Sequence, residues 1–337
     1  MSDFASPSPK RRQLLGATLA GASLAGAPWI ARAQSPRIIR VAHHVSLQSE
    51  QHKAAENFGR LLKQYTNGAI EVRVLPAAQA GGQREIIESV SLGTLEMGYG
   101  ESGLYANYLS RFGVIALPYL YRDFGHWEKV VDGPIGAGLA DQLRQTAGLR
   151  IVNWMTAGYR DTYLRTKPIR MPDDFARVKI RLPEAPLFVK TFQALGAQPT
   201  PIPAPEMYSA LQTGVVDAME GSPEVGFTFK IHEVTRYLSR TRHILLDGSF
   251  VINNKLYDGL PADQKAAIDR AAREAAATQR KEHFEREASW MDRFRKESKL
   301  EINDVNLQAF ADKLTPLHNE FATAAKATDV VAAIKAA

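Results

Sequence analysis

The chain has 337 residues, 45% of them hydrophobic and 23% charged, with 42 Lys and Arg against 36 Asp and Glu and no cysteine. Without cysteine there are no disulfides, thiol nucleophiles or thiolate metal sites, so stability has to come from burial in a conventional core, which this length can build in two domains. The formal charge of +6 is too small a surplus to indicate nucleic-acid binding.

Lys10, Arg11 and Arg12 precede an Ala/Gly/Leu-rich run from Leu14 to Ile30, which ends in Ala31-Arg32-Ala33. That is the layout of an export signal over residues 1–33, with small side chains at the cleavage subsites. The run is short of the ~20 residues that a membrane-spanning helix needs and is interrupted by glycines and a proline. Arg11-Arg12 before Gln13-Leu14-Leu15 resembles the twin-arginine export motif, and the expected address is the periplasm. Loss of Lys10, Arg11, Arg12, Arg32 and Asp3 with the signal leaves 38 basic against 35 acidic residues, a net +3.

From Gln34 onward, Ile38 to Ala42 is predicted as a strand, and Ala54, Ala55, Phe58, Leu61, Leu62 and Tyr65 give helical spacing over 49–66, with Gly68 as the stop. Ile70, Val72 and Val74 alternate with Glu71 and Arg73 as in a strand; a helix from Arg84 to Leu92 and a strand from Leu95 to Tyr99 follow. The same rhythm resumes with a helix near 135–146, strands at 149–154 and 178–182, a helix at 186–195, a strand near 199–203, a helix at 205–213 and a strand at 215–219. Alternation of this kind specifies an α/β fold, here in two lobes. No Gly or Pro occurs between Ala262 and Thr315, so Asp263 to Ser298 is predicted as one helix of ~54 Å that braces both lobes, the alternative being two helices broken near His283 or Ser289.

Several chemistries find no support. Gly133, Gly136 and Gly138 lack dinucleotide-binding spacing, and no glycine-rich loop ends in Lys-Ser or Lys-Thr. His43, His44 and His52 lack metal-ligand spacing, since neighbouring residues on a strand face opposite ways, and no Gly-x-Ser-x-Gly elbow is present. No catalytic residue, cofactor or metal is therefore expected.

The specific signal lies between Gly158 and Ile244: GYRDTYLRTKPIRMPDDF, then KIRLPEAPLFVKTFQALGAQPTPIP, PEMYSALQTGVVDAMEGSPE and HEVTRYLSRTRHI. These segments resemble the TRAP-type (tripartite, ATP-independent periplasmic) solute-binding family, in which the Lys-Ile-Arg-x-Pro, Leu-Gly-Ala-x-Pro, Glu-x-Tyr-x-Ala-Leu-Gln and Val-Asp-x-x-Glu motifs share this order and spacing. QAGGQREIIESVSLGTLEMG and IALPYLY extend the resemblance toward the N-terminus. It implies a periplasmic-binding-protein-like α/β fold whose lobes close about a hinge on a small organic anion, with a sugar acid favoured. It also implies hand-over to TRAP membrane subunits and no enzymatic activity. The lobes are expected over 34–156 plus about 247–285 and over 157–246 plus about 286–337, in a monomer.

By the same resemblance Arg181 clamps the carboxylate, Arg160 is a second anion contact with Arg165 its neighbour in competition, and Glu101, Gln83 and Ser49 are ligand-facing in the first lobe. Gly221 stands where the family often has asparagine, and Leu104 where sialic acid-binding members have arginine, which argues against sialic acid. Apart from ancestry, a guanidinium offers two parallel donors matched to a carboxylate and keeps its charge. Arg181 on an apolar strand thus has either an anionic ligand or an internal partner such as Glu206 or Glu220. Tyr99, Tyr105, Trp154 and Tyr163 are candidates for stacking on a ligand or for the core. Two other readings use the same residues: a periplasmic receptor for a sensor kinase, and a periplasmic enzyme converting a carboxylate.

Overall fold

The structure, a computed structural model, describes residues 35–337; the export signal and its cleavage site lie outside the described residues. Ten strands form one mixed sheet: β1 (Arg37–Ala42), β2 (Ile70–Leu75), β3 (Met97–Glu101), β4 (Leu149–Ile151), β5 (Met155–Leu164), β6 (Lys179–Leu182), β7 (Gln198–Pro201), β8 (Ala218–Gly221), β9 (Tyr237–Asn253) and β10 (Glu301–Asp304). The order along the sheet is β2-β1-β3-β9-β5-β8-β6-β7, with β4 and β10 also pairing to β9. At each end the strands run parallel and are joined through helices, as βαβ connection requires. In the middle β9 runs antiparallel to both β3 and β5.

Two long strands therefore carry the chain between the lobes. The 17-residue β9 pairs with β3 through Gly248–Ile252 and with β10 through Tyr237–Arg240. The 10-residue β5 pairs with β9 along most of its length and with β8 through Asp161–Leu164. Its register slips between Thr156 and Gly158 and again between Arg160 and Thr162. These irregularities bend the crossing strands beside Arg160, and Gly158 takes φ +76° there, a conformation suited to a residue without Cβ.

The helices follow their end signals. Ser49 caps the helix Glu50–Tyr65 by accepting a hydrogen bond from His52 N–H at 3.1 Å; Gly68, at φ +80°, returns its N–H to Lys63 O at 2.8 Å and closes the other end. Asp263 to Ser298 forms a single helix, Ala262–Glu297, with no break at His283 or Ser289. Its first half packs Ala267, Ile268, Ala271, Ala272 and Ala275 with Phe58, Leu62 and Phe250 of the first lobe. Its far end packs Met291 and Phe294 with Tyr163, Leu211 and Leu238 of the second. Small residues let the helix lie close to the sheet at one end, and large ones anchor it at the other.

The C-terminus departs from the expected lobe layout. Phe310 and Leu314 join the core around Phe175 and Phe192, but Phe321, Ala325, Val331 and Ile334 pack with Val114, Trp127 and Leu139 of the first lobe. The helices from Pro316 onward thus pack with Val114 and Trp127, while Phe310 and Leu314 stay with Phe175 and Phe192. The reason is the apolar face left open by Phe112–Leu117 and Trp127, which the last two helices cover. Among the described residues no helix is long and apolar enough to cross a membrane.

Phe294 is fully buried, with ring centroids 5.5 Å from Phe227 and 6.1 Å from Tyr163. Phe294→Ala leaves a cavity at the brace's far anchor and should lower unfolding free energy by about 3–5 kcal/mol in urea titration. A loss below about 1 kcal/mol would show that the anchor carries little of the fold's stability.

Candidate functional site

Where the central strands meet the two lobes, a cavity of about 40 Å³ is lined by His44, Gln83, Glu101 and Leu104 on one side and by Arg160, Arg181, Pro183, Glu184 and Pro203 on the other. Its walls come from the segment after β1, the start of the helix Gln83–Leu92 and the end of β3, facing the middle of β5 and the β6 strand. At the rim Arg84 and Glu184 face one another at 3.9 Å. A groove of about 580 Å³ lies elsewhere, beside Arg150, Asn153, Asp269 and Arg280; Arg280 is occupied there by Asp132 at 2.6 Å.

The two arginines are in different states. Arg160 is bound to Glu220 by Nε to Oε2 and by Nη2 to Oε1 at 2.6 Å, and Nη2 also donates to the Glu220 carbonyl at 3.0 Å. His243 Nε2 lies 3.2 Å from the same carboxylate, its Nδ1 held by Thr241 Oγ1 at 2.9 Å. Burial by itself would raise Glu220, but Arg160 and His243 outweigh it and bring the carboxyl down to about 2. Burial likewise opposes the charge on Arg160, and Glu220 restores it, leaving that guanidinium above its ordinary value.

Arg181 is also buried, at 4% exposure, yet it forms no salt bridge among the described residues. Its Nε donates to Ile202 O at 2.7 Å, which fixes the plane of the guanidinium. Burial, with Arg160 alongside, pulls it down to about 10 against the pull of Glu220 in the other direction. Of the two internal partners expected from the sequence, Glu220 belongs to Arg160, and Glu206 sits on the exposed turn Ala204–Glu206.

The remaining wall groups are short of partners. The Gln83 amide nitrogen and His44 Nδ1 are buried with no hydrogen bond. Burial and the nearby cations push His44 down to about 3, so it is neutral. Burial pushes Glu101 above the usual carboxylate range. Leu104 adds an apolar patch at 4% exposure. A buried polar group without a partner is costly, so His44 Nδ1 and the Gln83 amide nitrogen, both on one wall, leave hydrogen-bonding capacity open toward the cavity.

Four residues singled out in the sequence, Arg181, Arg160, Glu101 and Gln83, are thus brought to one cavity, and two are not. The Ser49 hydroxyl is taken up in capping a helix, and Gly221 ends β8 in register with Asp161 of β5; neither lines the cavity. Arg165, at the end of β5, has its guanidinium against Gly214. Tyr99, Tyr105, Trp154 and Tyr163 are all core residues. Sequence reasoning passed over His44, treated only as a poor metal ligand, and His243, although both stood in view: adjacent strand-end residues face opposite ways, so His43 turns to His52 at 2.9 Å and His44 to the cavity.

Residues 41–324 match the family model described as bacterial extracellular solute-binding protein, family 7. The chain is 30% identical over 337 residues to the C4-dicarboxylate-binding periplasmic protein DctP of Rhodobacter capsulatus, an alignment covering 97% of this chain and 98% of that one. It is 31% identical over 276 residues to the 2,3-diketo-L-gulonate-binding periplasmic protein YiaO of Escherichia coli K12, covering 82% and 84%. In three dimensions it resembles the TRAP periplasmic solute-binding protein from Sulfitobacter sp. NAS-14.1 with bound β-D-galacturonate, at TM-score 0.86 and 27% identity over 89% of this chain and all of that one.

Behind Glu101, Ser102 Oγ donates to Asp247 Oδ2, and the other oxygen of Asp247 has no partner. Burial pushes Asp247 up to about 7. The folded chain therefore keeps this proton up to about pH 7, while the unfolded chain releases it near ~3.9. The group's contribution to stability is complete below that lower value and is lost as pH rises through the folded one. Asp247→Asn should gain stability relative to wild type across that window, by up to about 1.4 kcal/mol per pH unit, and then level off. Urea titrations of both proteins across the window measure the difference; a difference independent of pH would mean that Asp247 is charged in the fold.

Proposed function

The chain belongs to the bacterial extracellular solute-binding proteins of family 7, and we infer that it captures a small organic carboxylate, a sugar acid first among candidates, with Arg181 as the carboxylate clamp. The observation that carries this is the contrast between two buried arginines. Arg160 is neutralised by Glu220, whereas Arg181 is held by one carbonyl and left without a counter-ion. A carboxylate from outside completes it with two parallel N–H···O bonds. The relatives' ligands, a dicarboxylate, a diketo-gulonate and a galacturonate, share that group.

In this reading Arg160, its plane set by Glu220, presents its remaining edge as a second contact. Gln83 and His44 bind hydroxyl or carbonyl oxygens, and Glu101 accepts from a hydroxyl. Leu104 limits polar contact on one side, which disfavours ligands needing a third cation there. Ser49 and Gly221 act indirectly, by fixing the first-lobe helix and the end of β8.

The cavity, about 40 Å³, is far below the roughly 300 Å³ and more of ordinary ligand pockets, so entry requires the lobes to part. Ligand contacts from both lobes are complete only when they shut, and closure is a population shift driven by that difference in affinity. The lobe boundaries we propose are those of the sequence reading, except that the chain from Pro316 returns to the first lobe. No bond is made or broken: nucleophile, base and cofactor have no assigned place in the scheme. The closed receptor, a monomer in the periplasm after removal of residues 1–33, delivers its ligand to TRAP membrane subunits. Exported protein should accordingly begin near Gln34 by N-terminal sequencing.

The decisive variant is Arg181→Lys, which keeps the charge and loses the fork. Titration calorimetry with D-galacturonate and succinate should show binding to wild type, release of the unaltered acid, and none for D-galactose. Arg181→Lys should lose about 2–5 kcal/mol, roughly 30-fold to several-thousand-fold in affinity. Lys190→Ala should be unaffected, since Lys190 faces solvent opposite Glu320 at 3.6 Å. Undiminished binding by folded Arg181→Lys would place the clamp elsewhere.

A further inference from the structure

Away from the cavity, Glu50, Glu224 and His283 meet from three separate elements: the first turn of the helix Glu50–Tyr65, the short helix Pro223–Thr228 and the middle of the brace helix Ala262–Glu297. Their exposures are 2%, 2% and 3%. The Glu50 backbone N–H donates to Glu224 Oε1 at 2.7 Å, and His283 Nδ1 stands 2.8 Å from Glu50 Oε2. One ligand-capable atom of each residue lies within 4.8 Å of those of the other two. Glu50 Oε1 and Glu224 Oε2 have no hydrogen-bond partner.

The geometry also selects the ring nitrogen. His283 Nε2 is closed off by the β5 backbone, where a Cβ added to Gly158 would come within 2.5 Å of it. Nδ1 is therefore the atom presented to the carboxylates. Two buried carboxylates side by side need positive charge, and a single imidazole does not neutralise both acids once they are ionised. One nitrogen and two carboxylate oxygens form a donor set suited to a borderline divalent ion, with a fourth position left for water. A groove of about 270 Å³ lined by Glu50, Lys53, Asn57, Gln279 and Glu282 leads from the surface to Glu50, which provides an entry path.

We propose that Glu50, Glu224 and His283 bind one divalent cation of the zinc or manganese type, which ties the start of the first-lobe helix and the Pro223–Thr228 helix to the brace. The site is separate from the ligand cavity and uses none of its residues. A cation there holds together elements that lobe opening would draw apart, so it favours the closed arrangement.

The test uses the full mature chain, stripped with chelator and dialysed, then titrated calorimetrically with ZnCl₂ and separately with MnCl₂ while thermal unfolding is followed. A His52→Ala background removes the other histidine pair, His43–His52, as a competing zinc ligand. The expected result is one ion per chain and a rise in Tm. Glu224→Gln, close to isosteric and relieved of a buried charge, and His283→Gln should each weaken uptake by on the order of 100-fold. Should His283→Gln fail to fold by circular dichroism, Glu224→Gln decides the matter alone. Absence of uptake of both ions by the parent, or uptake by folded Glu224→Gln equal to the parent's, overturns the proposal and leaves a proton-sharing cluster.

Discussion

Arg160 and Glu220 neutralise one another in near-complete burial, and the arrangement of the site follows from that pair. Neither ion could be buried alone without a cost of several kcal/mol, so the strands that carry them, β5 and β8, are held in one register, with His243 of β9 bonded to the same carboxylate. A consequence reaches across the cavity. Because Glu220 is committed to Arg160, Arg181 on the neighbouring β6 has no salt-bridge partner among the described residues. The internal pair is thereby the reason that Arg181 is left without a salt bridge among the described residues. Glu101, on the facing wall, makes no salt bridge with Arg181.

The ends of the sheet were open to inspection in the sequence and its middle was not. Ile70–Leu75 shows its alternation because Ile70, Val72 and Val74 pack on a core while Arg73 between them is exposed, and the helix Glu50–Tyr65 shows its spacing because one face of it is buried. The strand beginning at Met97 was expected two residues early, a matter of boundaries. The 17-residue β9 is another case: from Ile244 to Ile252 every residue is buried, so no period of two is written in it, and its polar residues, such as Asp247 and Ser249, look like loop. The β5 segment carries a motif but no strand pattern in the sequence, since its bulges disturb alternation where it would be informative.

The site was legible residue by residue but not in its wiring. Arg181 and Arg160 stand out by type and by the motifs around them. Which of the two would be neutralised depends on one side chain, Glu220, 39 positions from Arg181 and 60 from Arg160, and on the fact that β5 runs antiparallel to β8 while β6 runs parallel to it. Local pattern carries no record of that. The final helices are a similar case: Phe321, Val331 and Ile334 announce a buried face, but nothing nearby says that the surface they cover belongs to Val114 and Trp127.

The irregular part of the sheet and the cavity lie beside one another. A sheet of ten strands resists flexing where its ladder is regular, and the regular ladder fails in β5 at Thr156–Gly158 and at Arg160–Thr162. Gly158, with φ +76° and packed against His283, marks the first of these slips; Arg160 itself borders the second. Motion of one lobe against the other that uses these slips must rotate the backbone carrying Arg160, and with it the Glu220 pair. The long helix Ala262–Glu297, anchored by Ala271 and Ala275 at one end and by Phe294 at the other, permits such a rotation only as far as its own packing allows. Opening thus disturbs the one buried pair on which the cavity's charge depends. On the proposed clamp, a carboxylate lodged between Arg160 and Arg181 would oppose that disturbance, because it would add bonds to both strands beside the slips.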